Sequence, residues 1–249
     1  MENRHYDIHG ADNPHSIILV HGLGVTRKWW HPQISTLSDE FRVIAMDLPG
    51  HGTMSEYPFK FEAALEHLNS VLDKEVSTSA LLVGISLGGY LAAAYADRFR
   101  GRVAGLVLCG SSINMSGLQG LAFRMTGFMI KRKGPDWLRE GTIKGYRKRV
   151  AATLIEPVID AGIFLNTAAD TFFQLSGRNF HRMLKNYPGP LLIVNGEEDE
   201  PNRGAEKSLL KYAPGARSVP IHAASHLTNL EQPEAFNNAV RTFAHGISW

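Results

Sequence analysis

The sequence predicts an α/β fold, a mostly parallel, doubly wound sheet with a helical insertion, and three observations predict it. Short apolar runs bounded by turn residues recur along the chain, helical patterns alternate with them, and a glycine-rich pentapeptide joins one run to one helix.

The apolar runs lie at residues 16–20, 41–46, 80–83, 103–109, 190–195 and 217–221. They are rich in Val, Ile and Leu and do not alternate with polar residues, the pattern of strands buried on both faces. Helical periodicity fills residues 61–76, 88–99, 204–213 and 233–245. Strand and helix in alternation imply right-handed crossovers, with ligands bound at the carboxyl ends of the strands.

The alternation breaks over residues 111–187, which carry helical periodicity and no convincing strand. A segment of that length is too long for a simple connection. The expected organisation is therefore a core of residues 1–110 and 188–249 with a helical cap of residues 111–187. The cap holds Phe123, Phe128, Met129, Trp137, Phe164, Phe172 and Phe173. It also holds Arg124, Lys131, Arg132, Lys133, Arg139, Lys144, Arg147, Lys148 and Arg149, with few acids between them. These cations read either as a solvated helical face or as a surface that meets an anionic substrate or acidic partner.

With 249 residues, 44% of them hydrophobic, the chain can bury a sizeable core. A formal net charge of +2 gives no electrostatic ground for a nucleic-acid partner or for membrane binding. The single cysteine, Cys109, lies in an apolar run, where a buried thiol is expected instead of a nucleophile. The first seven residues lack the apolar core of a secretory signal, and no apolar run is long enough to span a bilayer, so a cytoplasmic protein is expected.

The pentapeptide Gly84-Ile85-Ser86-Leu87-Gly88 puts a serine at the apex of a strand–turn–helix. A turn this tight strains the serine backbone and brings neighbouring chain close, so glycines flank it. A serine hydroxyl is a poor nucleophile until a base removes its proton and an acid orients that base. Asp199 follows the 190–195 run and is the preferred acid, because two further turn residues let the chain bend back to the sheet; Glu197 and Glu198 compete. His226 follows the last strand-like run and precedes the final helix, with His222 as its nearest rival among 11 histidines. His21, His51 and His67 have local structural explanations. Two backbone amides could face a developing oxyanion, Leu87 at the start of the helix and Leu23 in the turn His21-Gly22-Leu23-Gly24.

These residues resemble the α/β-hydrolase superfamily over nearly the whole chain. The matching blocks are His21-Gly22-Leu23-Gly24, Asp47-Leu48-Pro49-Gly50-His51-Gly52, Gly84-Ile85-Ser86-Leu87-Gly88-Gly89, Asn195-Gly196-Glu197-Glu198-Asp199 and Ser225-His226-Leu227-Thr228-Asn229-Leu230-Glu231-Gln232-Pro233. Serine, aspartate and histidine stand in the family's order. The resemblance implies Ser86 as nucleophile, His226 as general base and then acid, Asp199 as the orienting carboxylate, and Leu23 and Leu87 as oxyanion-hole amides. It implies no metal and no cofactor. Two positions depart from the pattern: Ser225 stands where glycine commonly precedes the histidine, and Tyr90 stands where the menaquinone-pathway synthase branch tends to carry arginine.

The expected function is a serine carboxylesterase acting on a small-molecule ester, with Trp29, Met115 and Phe123 as candidate substrate-binding residues. The tail from Asn229 to Phe236 is similar to enol-lactonases, which makes a lactone hydrolase the alternative. A lyase or a ligand receptor on the same frame are more distant alternatives. Nucleic acid and membrane are not expected partners, and nothing in the sequence sets an oligomeric state.

Overall fold

The computed structural model describes residues 5–249. In chain order it forms β1 (Tyr6–His9), β2 (Ser16–Val20), α1 (His31–Leu37), β3 (Arg42–Met46), α2 (Phe61–Glu75), β4 (Ala80–Ile85), α3 (Leu87–Arg98) and β5 (Val103–Cys109). A helical insert follows, α4 (Gly117–Lys133), α5 (Asp136–Arg149), α6 (Ala152–Asp160), α7 (Ala168–Leu175) and α8 (Phe180–Asn186). The sheet then resumes with β6 (Leu191–Ile193), α9 (Glu200–Leu210), β7 (Arg217–Ser218), α10 (Thr228–Glu231) and α11 (Pro233–His245). The strand order is β1-β3-β2-β4-β5-β6-β7, with β1 antiparallel and the other neighbours parallel.

Both faces of this sheet are dry. Ile18, Val20, Leu82, Leu106 and Leu108 pack into one apolar layer, and their chain neighbours Ile17, Leu19, Leu81, Val83 and Val107 pack into the other. That period of two, with every residue apolar, is why the runs do not alternate in sequence. Cys109 closes β5 fully buried, and desolvation pushes its thiol up to about 12.

Three expectations need correction. The short strand β1 was not foreseen, because Tyr6-Asp7-Ile8-His9 is an edge strand too polar and brief for an apolar-run criterion. The last strand is cut to Arg217–Ser218, although Ile221 still donates to the Asn195 carbonyl at 2.9 Å; Pro220 has no amide to continue the ladder. The helix expected from residue 204 begins at Glu200, with Pro201 in its first turn, where a missing amide proton costs nothing.

The chain reverses its winding direction at β2, which lies between β3 and β4, so the loops after β2 and β4 open beside each other. Two glycines set the spacing. A Cβ on Gly88 would lie 2.0 Å from the Val20 carbonyl oxygen, and one on Gly84 would lie 2.4 Å from the Gly88 oxygen. Helix α3 therefore starts in direct backbone contact with β2 and β4.

Histidines brace the neighbouring turns. The Leu48 amide donates to His21 Nε2 at 3.0 Å, which makes Nε2 the acceptor and leaves Nδ1–H to donate to the Gly22 carbonyl at 2.7 Å. Burial lowers the His21 pKa, and the Asp47 charge only partly offsets this. Burial, with His21 nearby, takes His51 down to about 3, and burial, with His5 nearby, takes His67 down to about 4. Asp47 accepts from the Arg27 and Thr53 amides, each at 2.9 Å, and pairs with the Arg27 guanidinium.

Gly88→Ala is expected to cost about 3 kcal/mol or more, since the clash is with fixed backbone. Gly204→Ala, on the open face of α9 with nothing within 4 Å, is expected to gain about 0.5–1 kcal/mol; urea unfolding of the two variants checks both signs. Because the buried imidazoles stay neutral in the fold while the unfolded chain binds protons below about 6.5, stability is expected to fall on acidification from pH 6.5 toward pH 4. His51→Gln is expected to flatten that slope by up to about 1.4 kcal/mol per pH unit between pH 5.5 and 4.5, read from urea midpoints.

Candidate active site

Ser86 stands between β4 and α3 with φ +52° and ψ −117°, a left-handed backbone that non-glycine residues rarely adopt. Its amide donates to the Cys109 carbonyl at 2.8 Å, and its own carbonyl accepts from Gly89 at 3.0 Å. The strained residue is thus held from both sides. As the first residue of α3, Leu87 carries one of the amides that a helix leaves without an internal acceptor. A Cβ on Gly22 would lie 3.5 Å from Ser86 Cβ, so the turn carrying Leu23 packs directly against the serine.

The three carboxylates that follow β6 part company. Asp199 Oδ2 contacts His226 Nδ1 at 2.8 Å, Glu197 pairs with His222 at 2.9 Å on the surface, and Glu198 pairs with Arg149. The rival histidine, His222, is almost fully exposed. Asp199 is buried, and burial alone would raise its pKa; the hydrogen bond and charge of His226, with the hydrogen bonds of Asn202, outweigh this and hold it below the usual carboxylate value. With Nδ1 committed to Asp199, Nε2 is the ring nitrogen left for another partner. A Cβ on Gly110 would lie 2.6 Å from His226 Cε1, and Gly110 directly follows the carbonyl that accepts from Ser86. The imidazole and the serine therefore flank the same strand end.

A buried polar frame lies beneath the pair. Asn202 Nδ2 donates to both Asp199 oxygens, at 3.2 and 3.0 Å, while Asn202 Oδ1 accepts from the Ser112 amide at 2.8 Å. Asn195 accepts from the Gly110 amide at 2.9 Å and donates to Ser112 Oγ at 2.9 Å and Glu206 Oε2 at 3.0 Å. Sequence reasoning did not find Asn202, although its place three residues after Asp199 at a helix start is a usable signal. The loop of His226 is held by Glu231, which accepts from the Ser225 amide and, at 2.9 Å, from the Ser225 hydroxyl. Ser225 thus does something glycine could not. Arg149, at the end of α5, pairs with both Glu198 and Glu231. No sequence signal links these positions, which lie far apart in the chain.

The insert touches the site at other points. The Phe164 amide donates to the Gly24 carbonyl at 2.7 Å, and Thr167 meets Gly50 and His51. Of the three apolar candidates, Trp29 is 3% exposed and donates its indole N–H to Asn229 at 2.9 Å, and Met115 is 1% exposed. Phe123 is half-buried and stacks on Phe172 with ring centroids 5.2 Å apart. Tyr90 is buried against Phe180, ring centroids 4.5 Å apart.

Residues 17–239 match the model of the alpha/beta hydrolase family. A pimeloyl-[acyl-carrier protein] methyl ester esterase from Salmonella paratyphi A is 31% identical over 99% of this chain and 100% of its own. A 3-oxoadipate enol-lactonase 2 from Acinetobacter baylyi is 24% identical over 92% of this chain and 88% of its own. The solved structure of a thermophilic esterase from Thermogutta terrifontis superposes with a TM-score of 0.79 at 26% identity, covering 97% of this chain and 92% of that one. The fold, the family match and these relatives agree: this chain belongs to the α/β hydrolase family.

Proposed function

We propose that the protein hydrolyses carboxylic esters through an acyl-enzyme on Ser86. The observation that carries this reading is the 2.8 Å contact between His226 Nδ1 and Asp199 beside the strained serine. His226 Nε2 takes the Ser86 proton as Oγ attacks the ester carbonyl, and Asp199 stabilises the imidazolium and fixes its orientation. The amides of Leu23 and Leu87 receive the oxyanion. The imidazolium then protonates the departing alkoxide, and the alcohol leaves. Water, deprotonated by the same nitrogen, attacks the acyl-enzyme; the imidazolium then returns the proton to Ser86 Oγ as the acyl C–O bond breaks, which releases the carboxylic acid and restores the free serine and neutral imidazole. No metal or organic cofactor enters these steps.

Residues 111–187 serve in this reading as a cap over the strand ends. Phe123 faces the acyl group with Met115 in the apolar layer behind it, whereas Trp29, packed in the other layer against Asn229 and Tyr146, supports the oxyanion turn. The methyl ester esterase relative supports an ester substrate. The enol-lactonase relative favours a second reading, opening of a lactone by the same serine chemistry, in which the leaving hydroxyl stays attached to the acid. The substrate is in either case a small-molecule ester or lactone.

Hydrolysis of p-nitrophenyl acetate, butyrate, octanoate and laurate is expected from the wild type and reduced at least about 10⁴-fold in Ser86→Ala. Asp199→Asn is expected to lower kcat by about 10⁴-fold while the fold stays intact by circular dichroism. Wild-type turnover unchanged by Ser86→Ala would overturn the mechanism. A lactone panel run beside the esters decides the substrate class: a higher kcat/KM on lactones, still lost in Ser86→Ala, would keep the mechanism and replace the ester.

A further inference from the structure

The net charge of +2 conceals a strongly uneven distribution. Residues 117–149, which form α4 and α5, hold nine Lys and Arg against two Asp and Glu, so this stretch carries +7 and the rest of the chain −5. Helix α4 itself contains no acid. Among the described residues, Arg124, Lys131, Arg132 and Lys133 have no carboxylate within ion-pair distance.

The same helix exposes an apolar stripe. Leu118, Leu121, Met125, Phe128 and Met129 are 86%, 56%, 60%, 52% and 43% exposed, and their spacing of three and four residues puts them along one side of the helix. The stripe is about 17 Å long at 1.5 Å per residue. The opposite side of α4 is already occupied: Phe123 stacks on Phe172, a Cβ on Gly127 would meet the Phe173 ring at 2.9 Å, and Ile130 is buried. Phe128 meets the edge of the Phe173 ring, centroids 5.0 Å apart, while staying half exposed, and the rest of the outer stripe is surplus to the fold. An exposed apolar row of this size marks a surface that meets something else.

Cations lie at its margins, next to aromatic rings. Lys133 Nζ sits 4.3 Å from the ring centroid of Trp137, itself half exposed, and the Arg124 guanidinium sits 5.9 Å from that of Phe128. Apolar side chains on one line, with Trp and long basic side chains beside them, are the features of a helix lying in the plane of a bilayer interface. A second copy of this chain is disfavoured as the occupant, because a two-fold contact through α4 would set like charges opposite each other.

We propose that α4 and the start of α5 dock the protein on an anionic lipid surface, with Leu121, Met125 and Phe128 in the acyl boundary and Lys131, Arg132 and Lys133 among the headgroups. Docking in this geometry turns the helical insert toward the lipid, so the substrate class it favours is an ester that partitions into membranes. The surface proposal stands without the esterase reading, because binding is measured without turnover.

The test is co-sedimentation of the full chain with vesicles of pure phosphatidylcholine and of phosphatidylcholine with about one-third phosphatidylglycerol. The expected result is binding to the anionic vesicles only. Removing each cation is expected to weaken it about fivefold, so Lys131→Ser/Arg132→Ser/Lys133→Ser should lose about a hundredfold. Leu121→Glu/Met125→Glu should lose at least about tenfold for each substitution. Both variants should keep wild-type circular dichroism, since these side chains are exposed. No wild-type binding to anionic vesicles would overturn the proposal. Loss with the charge variant but not with Leu121→Glu/Met125→Glu would also overturn it, since binding would then be electrostatic adsorption with no apolar side chain in the acyl boundary. Self-association in sedimentation velocity that Leu121→Glu/Met125→Glu abolishes would overturn it in favour of a second copy.

Discussion

The contact between Gly88 and the Val20 carbonyl is the constraint on which the rest of the molecule depends. No side chain fits there, because a Cβ would sit 2.0 Å from a backbone oxygen. Helix α3 can therefore begin almost on top of β2. That approach forces Ser86 to φ +52°, presses Gly22 against its Cβ, and brings the turn of Leu23 and the amide of Leu87 to one place. Strain at one residue is held by hydrogen bonds on both sides of it, which is how a fold can keep a costly backbone conformation.

The second organising element is buried and polar. A carboxylate removed from water would normally take up a proton, yet Asp199 is held in its charged form by His226 and Asn202. Asn202 is itself fixed by the Ser112 amide, and Ser112 by Asn195, which also receives the Gly110 amide behind the imidazole. The Asn195 and Asn202 amides each donate and accept within this frame, so it ties the β5, β6 and α9 ends into one arrangement. The positions of Asp199 and His226 are set by this shared support and not by their own loops alone.

Much of the central architecture could be read directly from the residues. Strands buried on both faces announce themselves as unbroken Val, Ile and Leu runs, and the turn at Ser86 announces itself by the glycines that its geometry demands. The order of Ser86, Asp199 and His226 was legible for the same reason, since each follows a strand. What the sequence hid is long-range or half-polar. β1 is an edge strand with one wet side, and the end of the sheet is shortened by Pro220. Asp199 is preferred over Glu197 and Glu198 from turn length alone, but the partners that separate the three, His226, His222 and Arg149, come from distant parts of the chain. The exposed stripe of α4 was invisible because its helix is apolar on both sides, and a sequence does not say which side is covered.

Arg149 ties the insert to the two loops that carry Asp199 and His226, pairing with Glu198 beside Asp199 and with Glu231 beneath Ser225. Glu231 is shared, since it also accepts from the Ser225 amide and hydroxyl, so a carboxylate that braces the loop of His226 is at the same time an anchor for the end of α5. Movement of the insert at this point is therefore felt in the loop of His226 through a single buried carboxylate, with no contact between the insert and the imidazole required.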